Sequence, residues 1–248
     1  NKYSRSSFEK TAAAVLQDKN SAVLMAPVIT DLAAAFAQKL APCIKLAFFD
    51  ADIPSAPRVC FSGQDAYTSG TLAARLMAML CFNKGRVDIL SPPLDDIHIK
   101  NRIRGFCDHL NYFAELNYCL HTITNLEDRE QIESFFKKTD SPVQSNGIFI
   151  PNSVVFQTAV FLEKKGLHHI HLIAYDLLPK NIPYLKNNTI DFLISQQPFR
   201  QGYESIRILY RSCLFSEKTA AANLLPIDII TKENYLFYKN NERRAYAC

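Results

Sequence analysis

With 248 residues, 48% of them hydrophobic and 21% charged, the chain can bury one large core or two lobes, and its composition is that of a globular protein rather than a disordered one. No run approaches the roughly 18 continuous apolar residues of a membrane span, and no signal-like order of charged, apolar and small residues opens the chain. The net charge of +4 is modest and scattered, which argues against a surface built to track phosphates. Seven cysteines (Cys43, Cys60, Cys81, Cys107, Cys119, Cys213 and Cys248), odd in number and without Cys-x-x-Cys spacing, point to free thiols and a cytoplasmic setting.

Along the chain, short β-rich runs alternate with helical patterns, which predicts an α/β fold with parallel sheets covered by helices on both faces. The opening Asn1-Lys2-Tyr3-Ser4 enters a helix almost at once. Strands are predicted at 22–26, 44–49 and 58–61, followed by a helix over 66–82, where Leu72, Leu76, Met79 and Leu80 recur at helical spacing and Gly85 follows the end. A strand at 87–90, a helix over 97–110, a strand at 119–123, a helix over 128–138 and a strand at 148–150 come next. The helix from Ser153 toward Lys165 is expected to have Asn152 as its N-cap and Gly166 as its stop. Strands at 169–175 and 190–194 precede a helix over 198–214 that opens on Pro198. The run Asp228-Ile229-Ile230-Thr231 is expected to return as a strand or extended segment, and Lys239 to Arg244 reads as a solvated tail.

Polar residues stand just past several apolar runs. Asp50 follows 44–49, Asn152 follows 147–151, Asp176 follows 171–175 and Gln196 follows 192–195, while Arg102 opens Arg102-Ile103-Arg104-Gly105-Phe106. Ligands of open α/β sheets bind outside the carboxyl ends of the strands. These five residues offer carboxylates, amides and a guanidinium fork, the groups that satisfy a polyhydroxylated small molecule. Each also has an ordinary reading: a helix cap for Asn152, turn residues for Asp50, Asp52 and Asp176, a surface position for Arg102 and a loop for Gln196.

Other patterns carry less. His168-His169-Ile170-His171 puts His169 and His171 on one face of a strand, but no acidic or cysteine partner sits at a telling spacing, so a loop-to-strand junction is expected and no metal ligands are assigned. Cys107, Asp108 and His109 are neighbours whose offsets do not aim a nucleophile at a base. With seven glycines and neither phosphate-binding glycine motif, nucleotide binding has no support. No catalytic residues and no cofactor are expected.

Six motifs in order then carry a resemblance: Phe48-Phe49-Asp50-Ala51-Asp52-Ile53-Pro54, Gly63-Gln64-Asp65-Ala66-Tyr67-Thr68-Ser69-Gly70, Arg102-Ile103-Arg104-Gly105-Phe106, Ile148-Phe149-Ile150-Pro151-Asn152, Ile173-Ala174-Tyr175-Asp176, and Ile194-Ser195-Gln196-Gln197-Pro198 with Gln201-Gly202-Tyr203. Over nearly its whole length the chain resembles type I periplasmic-binding-protein domains, and more closely the effector-binding domains of LacI/GalR transcriptional regulators of the Bacteroidetes variety. The resemblance implies two Rossmann-like lobes joined by three crossovers near Ser62-Gly63, Ser195-Gln196 and Leu225-Pro226. The N-terminal lobe would be built from 1–62 plus 196–224 and the C-terminal lobe from 63–195 plus 225–248.

It further implies a carbohydrate effector held in the interlobe cleft by Asp50, Arg102, Asn152, Asp176 and Gln196. Arg102 would grip ring or hydroxyl oxygens, Asp50 and Asp176 would accept hydroxyl protons, and Asn152 and Gln196 would fix orientation. Arg102→Ala is therefore expected to remove ligand stabilisation while leaving the unliganded fold nearly intact. As a non-enzymatic regulator the protein would be a cytoplasmic homodimer, with no membrane partner, contacting DNA through a helix-turn-helix absent from this chain. The alternative is a periplasmic sugar-binding protein or a sensor ectodomain. The family's usual opening strand, helix and second strand are not found at the start of this sequence, so the N-terminal lobe reads as incomplete or the sequence as a fragment, with an exposed sheet edge in the first case.

Overall fold

The structure, a computed structural model, describes residues 4–18, 22–40, 44–93, 96–138 and 145–238. In chain order its elements are α1 (Arg5–Gln17), β1 (Ala22–Met25), α2 (Thr30–Lys39), β2 (Lys45–Phe49), β3 (Cys60–Gly63), α3 (Ala66–Leu80), β4 (Lys84–Ser91), α4 (Ile97–Leu110), β5 (Glu115–Thr122), α5 (Arg129–Lys138), β6 (Gly147–Phe149), α6 (Phe156–Lys165), β7 (His171–Tyr175), α7 (Ile182–Lys186), β8 (Phe192–Ser195), α8 (Pro198–Phe215), β9 (Ala222–Leu224) and β10 (Asp228–Ile230). They form two compact units. The first comprises Asn1–Asp65, Asp95–His98 and Gln197–Pro226, and the second Ala66–Leu94, Ile99–Gln196 and Ile227–Cys248. Gln196, expected in the first lobe, thus belongs to the second unit. The tail at 239–248, with Cys248, and Cys43 lie outside the described residues. No helix among the described residues is long and apolar enough to cross a membrane.

The first unit is a four-stranded parallel sheet in the order β1-β2-β3-β9. Leu46 and Phe48 of β2 and Phe61 of β3 pack with Ala33 and Ala37 of α2 and with Ile53 into one core cluster. Ser4 caps α1, its Oγ accepting the Ser7 N–H at 3.3 Å. Helix α8 buries Gln201, Ser205, Ile208, Leu209 and Ser212. The positions between them, Phe199, Tyr203, Ile206, Tyr210 and Leu214, recur every three or four residues as an exposed apolar row. Strand β1 is an edge, paired within the sheet to β2 alone.

The second unit has six strands in the order β10-β8-β7-β6-β4-β5, all neighbours parallel except β10, which returns antiparallel to β8. Successive residues of its central strands feed opposite faces. Ile148, Leu172, Ala174 and Leu193 join a cluster with Ile132, Phe135, Phe136 and Leu162 from α5 and α6. Phe149, Ile173, Tyr175 and Ile194 join one with Ala73 and Met77 of α3 and Ile103 and Phe106 of α4. Both faces are therefore dry, as a helix-covered parallel sheet requires.

Two glycines set how closely α3 and α4 meet. A Cβ on Gly70 would lie 1.9 Å from the Arg102 carbonyl oxygen, and one on Gly105 would lie 2.1 Å from that of Tyr67. Only hydrogen at both positions permits this backbone approach, and the approach seats Arg102.

The end of α6 is as expected. Gly166 takes the left-handed conformation at φ +64°, and the Leu167 N–H bonds back to the Leu162 carbonyl at 3.0 Å. Its start is not: the helix begins at Phe156 with Val155 in the cap position, and Asn152 does not cap it. The Asn152 Oδ1 instead accepts the Val154 N–H at 2.9 Å, a local turn two residues wide that competes with capping.

Candidate functional site

Three neighbouring parallel strands of the second unit, β6, β7 and β8, are followed by Pro151, Asp176 and Gln196, and the Pro151 carbonyl and the Gln196 side chain meet on one side chain, that of Arg102. Arg102 lies on the helix expected over 97–110 rather than after a strand, and it is buried instead of at the surface position of its ordinary reading. It lies in the middle of α4 and is 3% exposed. Its Nη1 donates to the Pro151 carbonyl at 3.0 Å and its Nη2 donates to Gln196 Oε1. The guanidinium carbon sits 4.0 Å from the centre of the Tyr175 ring. Gln196 passes the interaction on, with Nε2 donating to Asp176 Oδ2 at 2.5 Å and its backbone N–H donating to Asp176 Oδ1 at 3.1 Å. A cation and a carboxylate are thereby joined through an amide whose orientation both partners dictate.

Tyr175 and Ser69 were not among the candidates read from the sequence. Tyr175 is fully buried, and its hydroxyl lies 2.8 Å from Ser69 Oγ on α3. Burial pushes its phenol above the ordinary range, against an opposing pull from the Arg102 charge, so the ring is a neutral platform for the cation. The available signal was the position of Tyr175, an aromatic hydroxyl closing an apolar run one residue before Asp176.

Arg102 is incompletely paired. Its buried Nε has no hydrogen-bond partner, and a guanidinium carries five N–H donors. Asp176 and Gln196 are half-buried, and Asp176 turns the chain at φ +62°. Asn152 is held beside them through its backbone, its carbonyl accepting the Tyr175 N–H at 3.2 Å. Arg102, Asn152, Asp176 and Gln196 are therefore grouped at one sheet end. Because Arg102 is this deeply seated, its removal is expected to cost the unliganded fold as well as any ligand contact.

Asp50 belongs to the first unit. It follows β2 at φ +67°, and its N–H donates to Gln201 Oε1 of α8 at 2.8 Å. Gln201 is 2% exposed and pins this turn, a role that sequence reasoning did not assign to it. Asp52 pairs with Arg58 at 2.7 Å, and burial raises its carboxyl pKa against the pull of that arginine.

The remaining patterns are structural. His171 Nδ1 lies 3.0 Å from Asp191 Oδ1, while Asp191 Oδ2 accepts the Leu172 N–H at 2.7 Å, which ties the start of β7 to the chain entering β8. Burial pushes the Cys107 thiol up to about 11, unsuited to a nucleophile. A groove between α5 and α6, lined by Phe136, Phe161 and Lys137, adjoins neither strand ends nor the Arg102 group.

A family model described as periplasmic binding protein domain matches residues 3–215. The chain belongs to that family. A candidate LacI transcriptional regulator from Bacteroides fragilis is 28% identical, with a TM-score of 0.84 over 96% of this chain and 84% of its own. A glucose-galactose binding protein from Geobacillus stearothermophilus is 22% identical, with a TM-score of 0.81 over 92% of this chain and 81% of its own. A solute-binding protein of an ABC transporter from Agrobacterium vitis, solved with α-D-tagatopyranose, is 21% identical, with a TM-score of 0.81 over 91% of this chain and 80% of its own. Among curated protein sequences none matches. For this periplasmic binding protein domain, the two more distant likenesses establish the α/β fold.

Proposed function

We propose that this domain binds a sugar or sugar-like effector and that Arg102, Asn152, Asp176 and Gln196 supply its polar contacts. The observation that carries this reading is the Arg102–Gln196–Asp176 relay at the ends of three parallel strands. It combines a buried cation with unused N–H groups and a partly accessible carboxylate and amide. Vicinal hydroxyls both donate and accept, so they match such a set better than an apolar ligand does. No nucleophile with an adjacent base accompanies the group among the described residues, and the reading is of a ligand sensor rather than an enzyme.

Within that class we favour the effector domain of a LacI-type regulator, working in the cytoplasm as a homodimer and reaching DNA through a helix-turn-helix outside this sequence. The 28% identity to the Bacteroides fragilis protein and the free cysteines support it. The sugar-binding proteins at 21% and 22% identity support the alternative of a periplasmic binding protein.

The test is a thermal-shift screen of pentoses, hexoses and their acids, followed by calorimetry on each hit. A ligand at about 100 times its Kd stabilises the fold by about 2.7 kcal/mol, a readily measured shift. Gln196→Ala should lose most of the shift. A saturating sugar whose affinity is the same in wild type, Gln196→Ala and Asp176→Asn would show that binding occurs elsewhere. Sedimentation of the full-length protein as a dimer supports the regulator, and as a monomer the solute-binding alternative.

A further inference from the structure

A second polar group lies in the six-stranded sheet, where β4 meets the edge strand β5. Asp88 and Cys119 are register partners on these two parallel strands, and His121, two residues beyond Cys119, faces the same way. One ligand atom from each, a carboxylate oxygen, a thiol sulfur and an imidazole nitrogen, lies within 4.8 Å of the others.

The carboxylate is unevenly satisfied. Asp88 is fully buried, and all its hydrogen bonds fall on Oδ1: Arg86 Nε at 3.0 Å, Arg86 Nη2 at 2.8 Å and His121 Nε2 at 2.8 Å. Oδ2 is buried with no partner. A bare carboxylate oxygen without water or a donor is costly, and a cation removes that cost. Cys119 and His121 are only partly buried, so an ion can enter from solvent across the sheet edge.

We propose that Asp88, Cys119 and His121 form a binding site for a divalent cation of the zinc class, with water as the fourth ligand. Thiolate, imidazole and carboxylate together suit zinc, whereas calcium and magnesium take oxygen alone. Bonds of about 2.0–2.3 Å in a tetrahedron put ligand atoms about 3.3–3.6 Å apart, so side-chain rotation from the present spacing suffices. On binding, the Cys119 thiol gives its proton to solvent, His121 ligates through Nε2 as a neutral imidazole with its proton on Nδ1, and the His121–Asp88 hydrogen bond is exchanged for two metal bonds. Arg86 stays on Oδ1 and orients the carboxylate from outside the coordination sphere. The Phe135 ring, edge-on to His121 at 4.9 Å, fixes the imidazole plane. The site clamps β5 to β4.

The test is titration of the reduced full chain with cobalt(II) alone, then displacement by zinc(II). Wild type should take up one equivalent, giving the intense visible bands of tetrahedral cobalt and a near-ultraviolet thiolate-to-cobalt band that zinc abolishes. Cys119→Ser and Cys119→Ala should each lose the thiolate band. His121→Gln should bind at least tenfold more weakly. Circular dichroism and urea midpoints would show that these variants fold, as expected at a partly exposed edge. Absence of tetrahedral cobalt bands, or affinities in the Cys119 and His121 variants within threefold of wild type, would overturn the proposal. Sugar binding is read separately, so failure here leaves the proposed function standing.

Discussion

Replacing Arg102 with alanine probes the buried relay even without a ligand. The change orphans the Pro151 carbonyl, at a cost of about 1–3 kcal/mol. It also removes the cation from the Tyr175 face, at a cost of about 0.5–2 kcal/mol. Part of this is offset, because a desolvated charge with an unpartnered Nε is removed as well. The expected net loss is about 2–3 kcal/mol, a large share of the roughly 5–15 kcal/mol that stabilises a typical domain. Arg102→Met keeps most of the packing over Tyr175 while removing the charge and hydrogen bonds, and should lose about half as much. Urea unfolding followed by circular dichroism measures both, provided the slope is unchanged. An Arg102→Ala protein within about 0.5 kcal/mol of wild type at constant slope would refute the seat described for the guanidinium.

Gln196→Ala, which leaves Arg102 Nη2 and Asp176 Oδ2 without their amide partner, should cost the unliganded protein about 1–3 kcal/mol and also weaken sugar binding tenfold or more, as read by urea unfolding beside calorimetry. Gly105→Ala drives a Cβ against the Tyr67 carbonyl and should destabilise by about 3 kcal/mol. Gly202→Ala on α8 meets nothing within 4 Å and should be neutral or stabilise by up to about 1 kcal/mol, so comparing the two melting curves checks the helix approach. Burial raises the Cys81 and Cys107 thiols from 9.0 to about 11. A folded-state pKa above the unfolded value means that their contribution to stability is complete below pH 9 and is lost as pH rises toward 11, so urea midpoints should fall across that window. Replacing both cysteines with alanine should flatten the fall.

The alternation of apolar runs with helical spacing was enough to determine the α/β class, because period-two and period-3.6 patterns are local properties of the chain. The Gly166 stop was equally local, since the left-handed conformation selects glycine. Asp50, Asp176 and Gln196 were legible for a related reason: a polar residue directly after a buried strand has to emerge where the sheet ends. Tertiary structure decided the rest. Whether Arg102 faces water or a ring depends on Gly70 and Gly105 bringing α3 against α4 and on Tyr175 closing β7, and no spacing along one helix records that. Asn152 could cap a helix or close a turn, and the choice fell to where α6 starts against its sheet. Asp88, Cys119 and His121 sit on strands separated by a helix, so they became neighbours only through the β4–β5 register, a pairing made by hydrogen bonds between distant segments rather than by local pattern.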